Sequence, residues 1–528
     1  MNQQLEDRSM NKAAFWPGII VLALFILSGI IWREPVGNAM TKLLYGMADY
    51  FGWYINLLSL VFVILGVVFI IIRYGDIVIG GKDAKPAFSL PTWCAMSICS
   101  GIGTGLLFWA MGEPMYHFMT TPTAIGEAGS RTAAIFAVAQ AMWDWSFIQY
   151  SMYAICGAAF AIICVNRKKT LSFNSIVECA TGKKRPWLNT LITAMVIFCI
   201  MGATSNSMGV GLMQIGAGLE AAFGIPQSAF IWLLAALFVG CVFITSCVTG
   251  ISKGLKYIST ACMYFFFFLM AWVLVFGNTE FIGKMGSEAV GFIVDNLGKM
   301  TTMTNVLTEN DNWFADWIVQ YWASFIVYAP VIGMFLARMG RGRTVRTFML
   351  VQILVPSIFC MIWIAIFGGQ VIYLQTSGTF DVWNAVNTSG MQATVFQIIG
   401  TLPASKLITI AFLCCIVMSF STLADPMASC VATLSCKKLD AESEAPKFQK
   451  ILTGCILCGT AYTLVATGGI NSVKGMFTLV GLLQSIVLIM CAVVLFKFGK
   501  KCYLEHFASS GEGAGNWGVI EVPVDVEE

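Results

Sequence analysis

The chain has 528 residues, of which 58% are hydrophobic and only 11% are charged. A mean hydropathy of +0.79 excludes an ordinary soluble domain and indicates an all-α integral membrane protein with many transmembrane helices. The formal net charge of +3 says little by itself, whereas the positions of the charged residues are informative.

The apolar segments predict twelve spans, at about residues 15–32, 52–73, 91–111, 132–165, 187–219, 228–249, 254–277, 313–337, 345–374, 404–435, 450–469 and 475–497. With a cytoplasmic N-terminus, 24 of the 31 lysines and arginines lie on the cytoplasmic side, as the positive-inside rule requires. We therefore predict a multi-pass protein of the inner or plasma membrane with both termini in the cytoplasm. The basic loops are interpreted as topology signals, so no nucleic-acid partner is expected.

A weaker apolar stretch, FIGKMGSEAVGFIVDNL, contains Lys284, Glu288 and Asp295 and suits an amphipathic helix at the membrane interface. It separates spans three to seven from spans eight to twelve. The predicted regions are a cytoplasmic N-terminal tail (1–14), two peripheral spans (15–90), a first five-helix repeat (91–280), the interfacial helix (281–300), a second five-helix repeat (313–500) and an acidic cytoplasmic C-terminal tail (501–528).

The first helix of each repeat contains residues that weaken helices. Span three contains Gly101, Gly103 and Gly105, and span eight contains Pro330 and Gly333. In lipid, a weakened backbone is tolerated only where protein or a water-filled cavity satisfies its polar groups. Paired interruptions in two halves therefore predict an inverted-repeat transporter whose substrate site lies near the membrane midplane.

Aromatic residues occur at the same depth as these interruptions. In span four, Trp145, Tyr150 and Tyr153 share one helical face, and in span eight Phe325 and Tyr328 share another. Such a stripe can simply pack against other helices or face lipid. However, lipid-facing Trp and Tyr usually collect at the membrane interfaces, whereas these rings lie at mid-depth. Two facing aromatic surfaces suit a cation without hydrogen-bond donors, because each ring contributes about 0.5–2 kcal/mol of attraction.

At these residues the sequence resembles the betaine/choline/carnitine transporter family. The similarity is carried by the glycines of span three, the W-x4-[WY]-x2-Y pattern of span four, and FLARMGRGRTVR at residues 335–346. The resemblance implies a leucine-transporter-type core of five plus five inverted helices in spans 3–12, preceded by two helices. It also implies a homotrimer embedded in membrane lipid, with trimethylammonium substrates such as glycine betaine, carnitine or choline.

By position, the resemblance implies an aromatic substrate site formed by Trp145, Tyr150, Tyr153 and Phe325, with Tyr328 lining the path. Tyr150, Phe325 and Tyr328 stand where the family more often has tryptophan, which suggests weaker cation–π attraction or a different head group. A substrate carboxylate is expected to meet backbone N–H groups at Gly101, Gly103 and Gly105.

The resemblance also identifies candidates for ion coupling. Sodium-coupled members use span-three carbonyls and a Thr-Ser pair in span ten, but here the pair is Thr422-Leu423, and leucine cannot bind sodium. Sodium-independent exchangers have an arginine in span seven, where this chain has Cys262. Three hydroxyls of span five could form a second sodium site or only pack between helices; they belong to Thr204, Ser205 and Ser207.

Ionisable residues inside a membrane are costly and usually functional, which adds Asp425, Glu113 and Asp144 to the coupling candidates. Asp425 lies beside the presumed sodium region and suits either a proton carrier or a structural acceptor. Glu113 matches a recurrent family acid and is interpreted mainly as a partner for the broken backbone. Asp144 points about 170° from the centre of the aromatic face on an ideal helix, so direct substrate contact is not expected.

These observations predict a secondary transporter that works by alternating access. Sodium-independent exchange or proton coupling is favoured by Leu423, and sodium-coupled betaine symport is the alternative. No metal site or cofactor is expected, and no G-x-x-x-x-G-K-[ST] motif for nucleotide binding is present. A channel would need a continuous polar lining, and an enzyme a nucleophile–base set or metal cluster; the sequence shows neither.

Overall fold

The computed structural model describes residues 7–102, 105–250, 254–304, 306, 312–440, 443–466 and 470–508. Its α-helices are α1 (Lys12–Ile31), α2 (Arg33–Ile71), α3 (Leu90–Ile102), α4 (Gly105–Met119), α5 (Arg131–Asp144), α6 (Phe147–Phe160), α7 (Phe173–Thr181), α8 (Pro186–Phe223), α9 (Ala229–Thr249), α10 (Lys256–Phe276), α11 (Thr279–Thr302), α12 (Gln320–Met339), α13 (Val345–Thr376), α14 (Val382–Gly400), α15 (Ser405–Leu434), α16 (Lys447–Ala466) and α17 (Ile470–Ala508).

Within the described ranges, 11 helices or continuous helical runs are long and apolar enough to cross a bilayer, and the bent pair of α3 and α4 provides a twelfth span. The predicted all-α membrane protein with twelve spans is therefore confirmed. Helices α3 and α4 are inclined to each other by 59°. The break predicted in span three is thus present, although Gly103 itself lies outside the described residues.

Span eight differs from the prediction, because α12 continues without interruption through Pro330 and Gly333. A proline inside a membrane helix is tolerated when neighbouring groups compensate for the lost hydrogen bond. Gly333 has a packing role: a Cβ atom there would lie 2.4 Å from Cys156 Cβ and 2.7 Å from the Gly157 nitrogen of α6. The irregular part of this span is a π-helical turn at Phe314–Val319, before α12 begins.

Span four contains a break that the sequence analysis did not predict. Helix α5 ends at Asp144, α6 begins at Phe147, and Ser146 between them has φ −122° and ψ −116°. No glycine or proline marks this position, so composition gave no signal. The break matters because it places Trp145 at the end of a helix and not along its side.

Both predicted tails contain regular secondary structure in their described parts. Strand β1 (Asp7–Met10) pairs antiparallel with β2 (Cys436–Lys438), which connects the expected N-terminal tail to the loop after span ten. Helix α17 extends to Ala508, so the first part of the predicted C-terminal tail (501–528) is helical. The remainder of that tail, residues 509–528, lies outside the described residues.

Three shorter or peripheral helices complete the fold. Helix α11 occupies the segment predicted to lie along the membrane interface and packs against α5 and α13. Helices α7 and α14 were not predicted, and α14 is kinked at Gly390, whose φ of +77° is a conformation that favours glycine.

We expect Gly333→Ala to destabilise the protein by about 1–3 kcal/mol, because the added methyl group meets the backbone of α6 and cannot be relieved by a side-chain rotation. The matched control is Gly291→Ala in α11, where no atom lies within 4 Å of the added carbon. The measurement is the thermal unfolding midpoint of the purified protein in detergent. Equal midpoints for the two variants would contradict the close packing of α12 on α6.

Candidate functional site

A cavity of about 150 Å³ lies among five of the spans. Its described lining consists of Gly101, Ile102, Gly105, Trp109, Trp145, Gln149, Tyr153, Ala203, Asn206, Ser207, Val210, Gln320, Tyr321, Ser324, Phe325, Tyr328 and Leu423. No lysine, arginine, aspartate or glutamate is among these residues. A cavity of this volume accommodates a ligand of about the size of benzene, so the site suits a small uncharged or singly charged solute.

Trp145 is the central ring of the lining. Its indole packs edge-to-face against Tyr321 and Phe325, with ring centroids 5.7 Å and 5.9 Å away. The ring reaches this position because Gly105 has no side chain: a Cβ atom there would lie 2.6 Å from Trp145 Cη2. We use the term aromatic cage for five of the six described lining rings, those of Trp145, Tyr153, Tyr321, Phe325 and Tyr328; the sixth is Trp109.

The cavity brings together most of the residues proposed from the sequence. Trp145, Tyr153, Phe325, Tyr328, Gly101 and Gly105 line it, whereas Gly103 lies outside the described residues. Tyr150 is not among the described lining residues. Its ring packs on Gly101, where a Cβ atom would lie 2.8 Å from Tyr150 Cε1, and its hydroxyl lies 3.4 Å from Cys360 Sγ.

Gln149 connects the broken span to the aromatic cage. Its amide nitrogen donates to the Gly101 carbonyl at 2.8 Å and to the Tyr153 hydroxyl at 3.2 Å. Gly101 is near the C-terminus of α3, where carbonyl groups lack helical partners, so Gln149 satisfies one of them. The Gln149 Oε1 atom is buried and has no hydrogen-bond partner among the described residues, and the same is true of Asn206 Oδ1 in α8. Both amide oxygens suit a hydrogen bond from a ligand.

Several lining residues are not among the predicted substrate-binding residues, chiefly Trp109, Gln149, Asn206, Gln320 and Ser324. Helical periodicity does place Gln149 on the face of Trp145 and Tyr153, since it lies four residues from each. The residues of α8 carried no comparable signal, since their contribution depends on how α8 packs against α12 and α15.

Three buried ionisable residues lie directly behind the cage. We call Glu113, His117 and Asp144 the acid cluster; one potential ligand atom from each lies within 4.8 Å of the other two, and all three side chains are fully buried. The Trp145 indole nitrogen donates to Glu113 Oε2 at 2.7 Å. The orientation of the central cage ring therefore depends on this carboxylate.

Hydrogen bonds also define which ring nitrogen of His117, the second member of the acid cluster, carries the proton. The Trp313 indole can only donate, so at 3.1 Å it makes His117 Nδ1 an acceptor, and His117 Nε2 then donates to Glu113 Oε1 at 3.4 Å. With Nδ1 accepting and Nε2 donating, both ring nitrogens of the imidazole are occupied. A metal ion at the cluster would have to displace these bonds, and the absence of a metal site stays a prediction.

Asp144 faces away from the cavity. Its Oδ1 atom accepts from Trp322 Nε1 at 3.0 Å and from Gln140 Nε2 at 2.9 Å, while Oδ2 has no hydrogen-bond partner among the described residues. This agrees with the helical geometry that placed Asp144 on the far side of the aromatic face. It is nevertheless connected to the cage, because Trp322 belongs to the same helix as Phe325.

The presumed sodium region combines oxygen atoms with thiol and aliphatic groups. Thr422 Oγ1 donates to the Cys99 carbonyl at 3.2 Å and to the Ser419 carbonyl at 2.8 Å. Leu423 lines the cavity, and the buried Cys262 thiol lies beside that of Cys99. Thiol and aliphatic groups therefore occupy places where a hard cation would need oxygen.

The hydroxyls of α8 have mixed environments. Ser205 Oγ donates to the Leu457 carbonyl at 3.2 Å, Thr204 lies beside the Tyr328 hydroxyl, and Ser207 lines the cavity.

Asp425 belongs to a separate polar group away from the cavity lining. Its carboxylate accepts a short hydrogen bond from Ser246. Nearby, the buried Lys450 ammonium donates to the Cys247 carbonyl at 2.9 Å and pairs with Glu444 at 2.5 Å. This group links α9, α15 and α16, which favours a structural role over contact with a ligand.

Comparison with known proteins identifies a transporter family and several similar transporters. The profile of a family described as BCCT, betaine/carnitine/choline family transporter, matches residues 13–502. The ectoine/hydroxyectoine transporter of Virgibacillus pantothenticus is 28% identical, over 89% of this chain and 93% of that protein. The glycine betaine transporter OpuD of Bacillus subtilis (strain 168) is 29% identical, over 92% and 94%.

The osmo-dependent choline transporter BetT2 of Acinetobacter baylyi is 26% identical, over 93% of this chain and 71% of that protein. Among solved structures, MhsT in complex with L-phenylalanine is 13% identical with a TM-score of 0.42, covering 81% of this chain and 100% of that one.

The hydrogen bond from Trp145 to Glu113 can be isolated with two matched substitutions. We expect Trp145→Phe to lower the free energy of unfolding by about 1–3 kcal/mol beyond the loss of ring size, because a buried carboxylate oxygen loses its donor. Trp143→Phe removes the same ring atoms from a buried tryptophan whose Nε1 has no partner in the described part of the chain. The measurement is thermal unfolding in detergent, and equal shifts would argue against this bond as the anchor of the cage.

Proposed function

The chain belongs to the betaine/carnitine/choline transporter family, and we propose that it carries a small trimethylammonium-type compound across the membrane by alternating access. The family assignment confirms the prediction of a transporter and not an enzyme. The observation that supports this substrate class is the aromatic cage, whose cavity contains no charged side chain among its described lining residues. A cation would be held there by ring faces, which attract it without forming an ion pair that slows release.

The polar atoms of the lining support a substrate that combines a cation with further polar groups. Gly101 and Gly105, on either side of the break in span three, line the cavity, and we propose that backbone N–H groups at this break meet a substrate carboxylate. Gln149 Oε1 and Asn206 Oδ1 are acceptors without donors, which suits a hydroxyl or N–H group of the substrate. A glycine betaine-type zwitterion would use the first feature, whereas choline or a cyclic amidine would use the second.

We propose sodium-independent operation, by substrate exchange or proton coupling. The support is local: Leu423 replaces a hydroxyl residue at the cavity wall, and Cys262 with Cys99 provides sulfur where sodium needs oxygen. Sodium-coupled symport is the alternative, and the presence of Ser207 in the cavity lining is the observation that favours it.

The protein is a multi-pass membrane protein, and we propose that both termini are cytoplasmic in the cell membrane. The support is the distribution of lysines and arginines, of which 24 of 31 fall on one side of the twelve spans. We further propose a homotrimer in membrane lipid. Helix α11 leaves Val290, Val294 and Leu297 exposed, with 45%, 73% and 38% of their surface accessible, and these residues suit a contact between subunits.

We expect Phe325→Leu to weaken choline binding by about 2- to 30-fold, equivalent to ~0.5–2 kcal/mol, because leucine keeps the apolar bulk but removes the ring face. The matched control is Phe335→Leu, a buried phenylalanine of the same helix outside the described lining. Binding is measured by ligand-induced thermal stabilisation or intrinsic fluorescence.

The neutral isostere 3,3-dimethyl-1-butanol separates cation–π attraction from hydrophobic burial in the same experiment. It should bind the wild-type protein weakly, and Phe325→Leu should leave its affinity unchanged. If the neutral compound binds as tightly as choline, or if Phe325→Leu weakens both equally, the cage does not recognise charge.

Replacing sodium with potassium should leave uptake of labelled choline or betaine into proteoliposomes unchanged, because Thr422 and Cys99 provide too few oxygen ligands for a sodium ion. Counterflow into vesicles loaded with unlabelled substrate, without any ion gradient, measures exchange in the same preparation. Uptake that requires sodium under both conditions would establish the symport alternative.

A further inference from the structure

The acid cluster contains two buried carboxyl groups. Binding of a cation in the aromatic cage does not explain why they are present. Glu113 and Asp144 project from α4 and α5 and present oxygens no more than 4.8 Å apart. Both side chains are fully buried. Two carboxylates this close in a site without solvent repel each other strongly, and such pairs hold one proton between them.

The hydrogen bonds around the pair favour one of its four oxygens as the position of that proton. Glu113 Oε2 and Oε1 accept from Trp145 and His117, and Asp144 Oδ1 accepts from Trp322 and Gln140. Asp144 Oδ2 alone is buried without a partner in the described structure. A proton on this atom would turn an unsatisfied acceptor into a donor that faces Glu113.

The groups that surround the pair do not supply a compensating positive charge. On the packed elements, the titratable groups that face it are His117 of α4 and Tyr321 of α12, with Tyr116 beyond Tyr321. Helices α11, α13 and α14 pack on α4 or α5. In the described residues they contribute no lysine or arginine contact to either carboxyl group.

The Trp145 ring lies between the carboxyl pair and the cage cavity. The indole N–H donates to Glu113, and the same ring lines the cavity. We propose that Glu113 and Asp144 bind one exchangeable proton, and that this proton and a cation in the cage oppose each other across Trp145, so that loading of the cage releases the proton. The release half of this inference rests on the proposed function, because it needs a cation in the cage.

The physical basis is charge repulsion across a short, poorly solvated distance. By linkage, a proton that weakens cation binding is itself bound more weakly when the cation is present, and by the same factor. Because the proton and the cation oppose each other, the pair would couple transport as an exchange of a proton for the substrate. No bond other than an O–H bond is broken, and the released proton passes to solvent.

The first experiment uses the purified full-length protein in a weakly buffered detergent solution with a pH indicator. Choline affinity should fall by about tenfold as the solution is acidified, and choline should accordingly release about half a proton per bound molecule at a pH between the midpoints of the free and the loaded pair. The neutral 3,3-dimethyl-1-butanol should bind without releasing a proton. Choline binding without proton release by the wild-type protein would overturn the proposal.

Two variants locate the effect. Asp144→Asn and Glu113→Gln should each abolish proton release and remove the pH dependence of choline affinity, whereas the exposed Glu288→Gln should retain both. Size-exclusion chromatography identifies any variant that does not fold, and Asp144→Asn, which leaves the Trp145 bond intact, is the more conservative of the two. Undiminished proton release in a folded Asp144→Asn protein would contradict the assignment.

A second measurement does not depend on transport or binding. The infrared spectrum of the wild-type protein at neutral pH should contain a protonated-carboxyl band that both single variants remove, with Asp425→Asn used to assign the band of the other buried carboxyl group. If no methylated ammonium compound binds, the proposed function fails while this band still tests the shared proton. A band that neither variant changes would show that the pair holds no proton.

Discussion

The hydrogen bond from the Trp145 indole to Glu113 is the interaction on which the site depends. Trp145 lies at a break between two helices, where the backbone alone does not fix a side chain, and its ring forms one wall of the cavity. The bond to a fully buried carboxylate, together with the missing side chain of Gly105, leaves the ring one position. Because Tyr321 and Phe325 pack against its edges, the geometry of the whole cage follows from this anchor.

Two broken helices meet at the cavity, and their unpaired backbone groups explain the polar residues around it. The Gly101 carbonyl near the end of α3 accepts a hydrogen bond from Gln149, and Gly105, the first described residue of α4, lines the cavity. The same arrangement separates the functions of the site. In the proposed function, aromatic faces attract the positive group of the substrate, whereas the ionisable side chains of the acid cluster lie behind Trp145 and outside the described lining.

Much of the fold and part of the site could be predicted from the sequence, for identifiable reasons. Long apolar runs determine transmembrane helices, so the spans were found, and the glycines of span three marked a real break. Pro330 and Gly333 were misleading, because Gly333 serves close contact with Cys156 and not a change of direction. The break beside Trp145 carries no glycine or proline, and Tyr150 shares the predicted face but packs behind Gly101, so neither feature could be read from helical periodicity.

The sequence by itself determined the membrane class, the positions of the spans and the aromatic composition of the site, because hydropathy and helical periodicity are local properties of the chain. Only the tertiary structure decided which rings surround the cavity and which residues lie behind it. Glu113 and Asp144 are separated by thirty-one positions in the chain, and their contact, like that of Asp144 with Trp322, is created by the packing of α4, α5 and α12. Such contacts join residues that no local pattern relates, so they arise only when the helices are assembled.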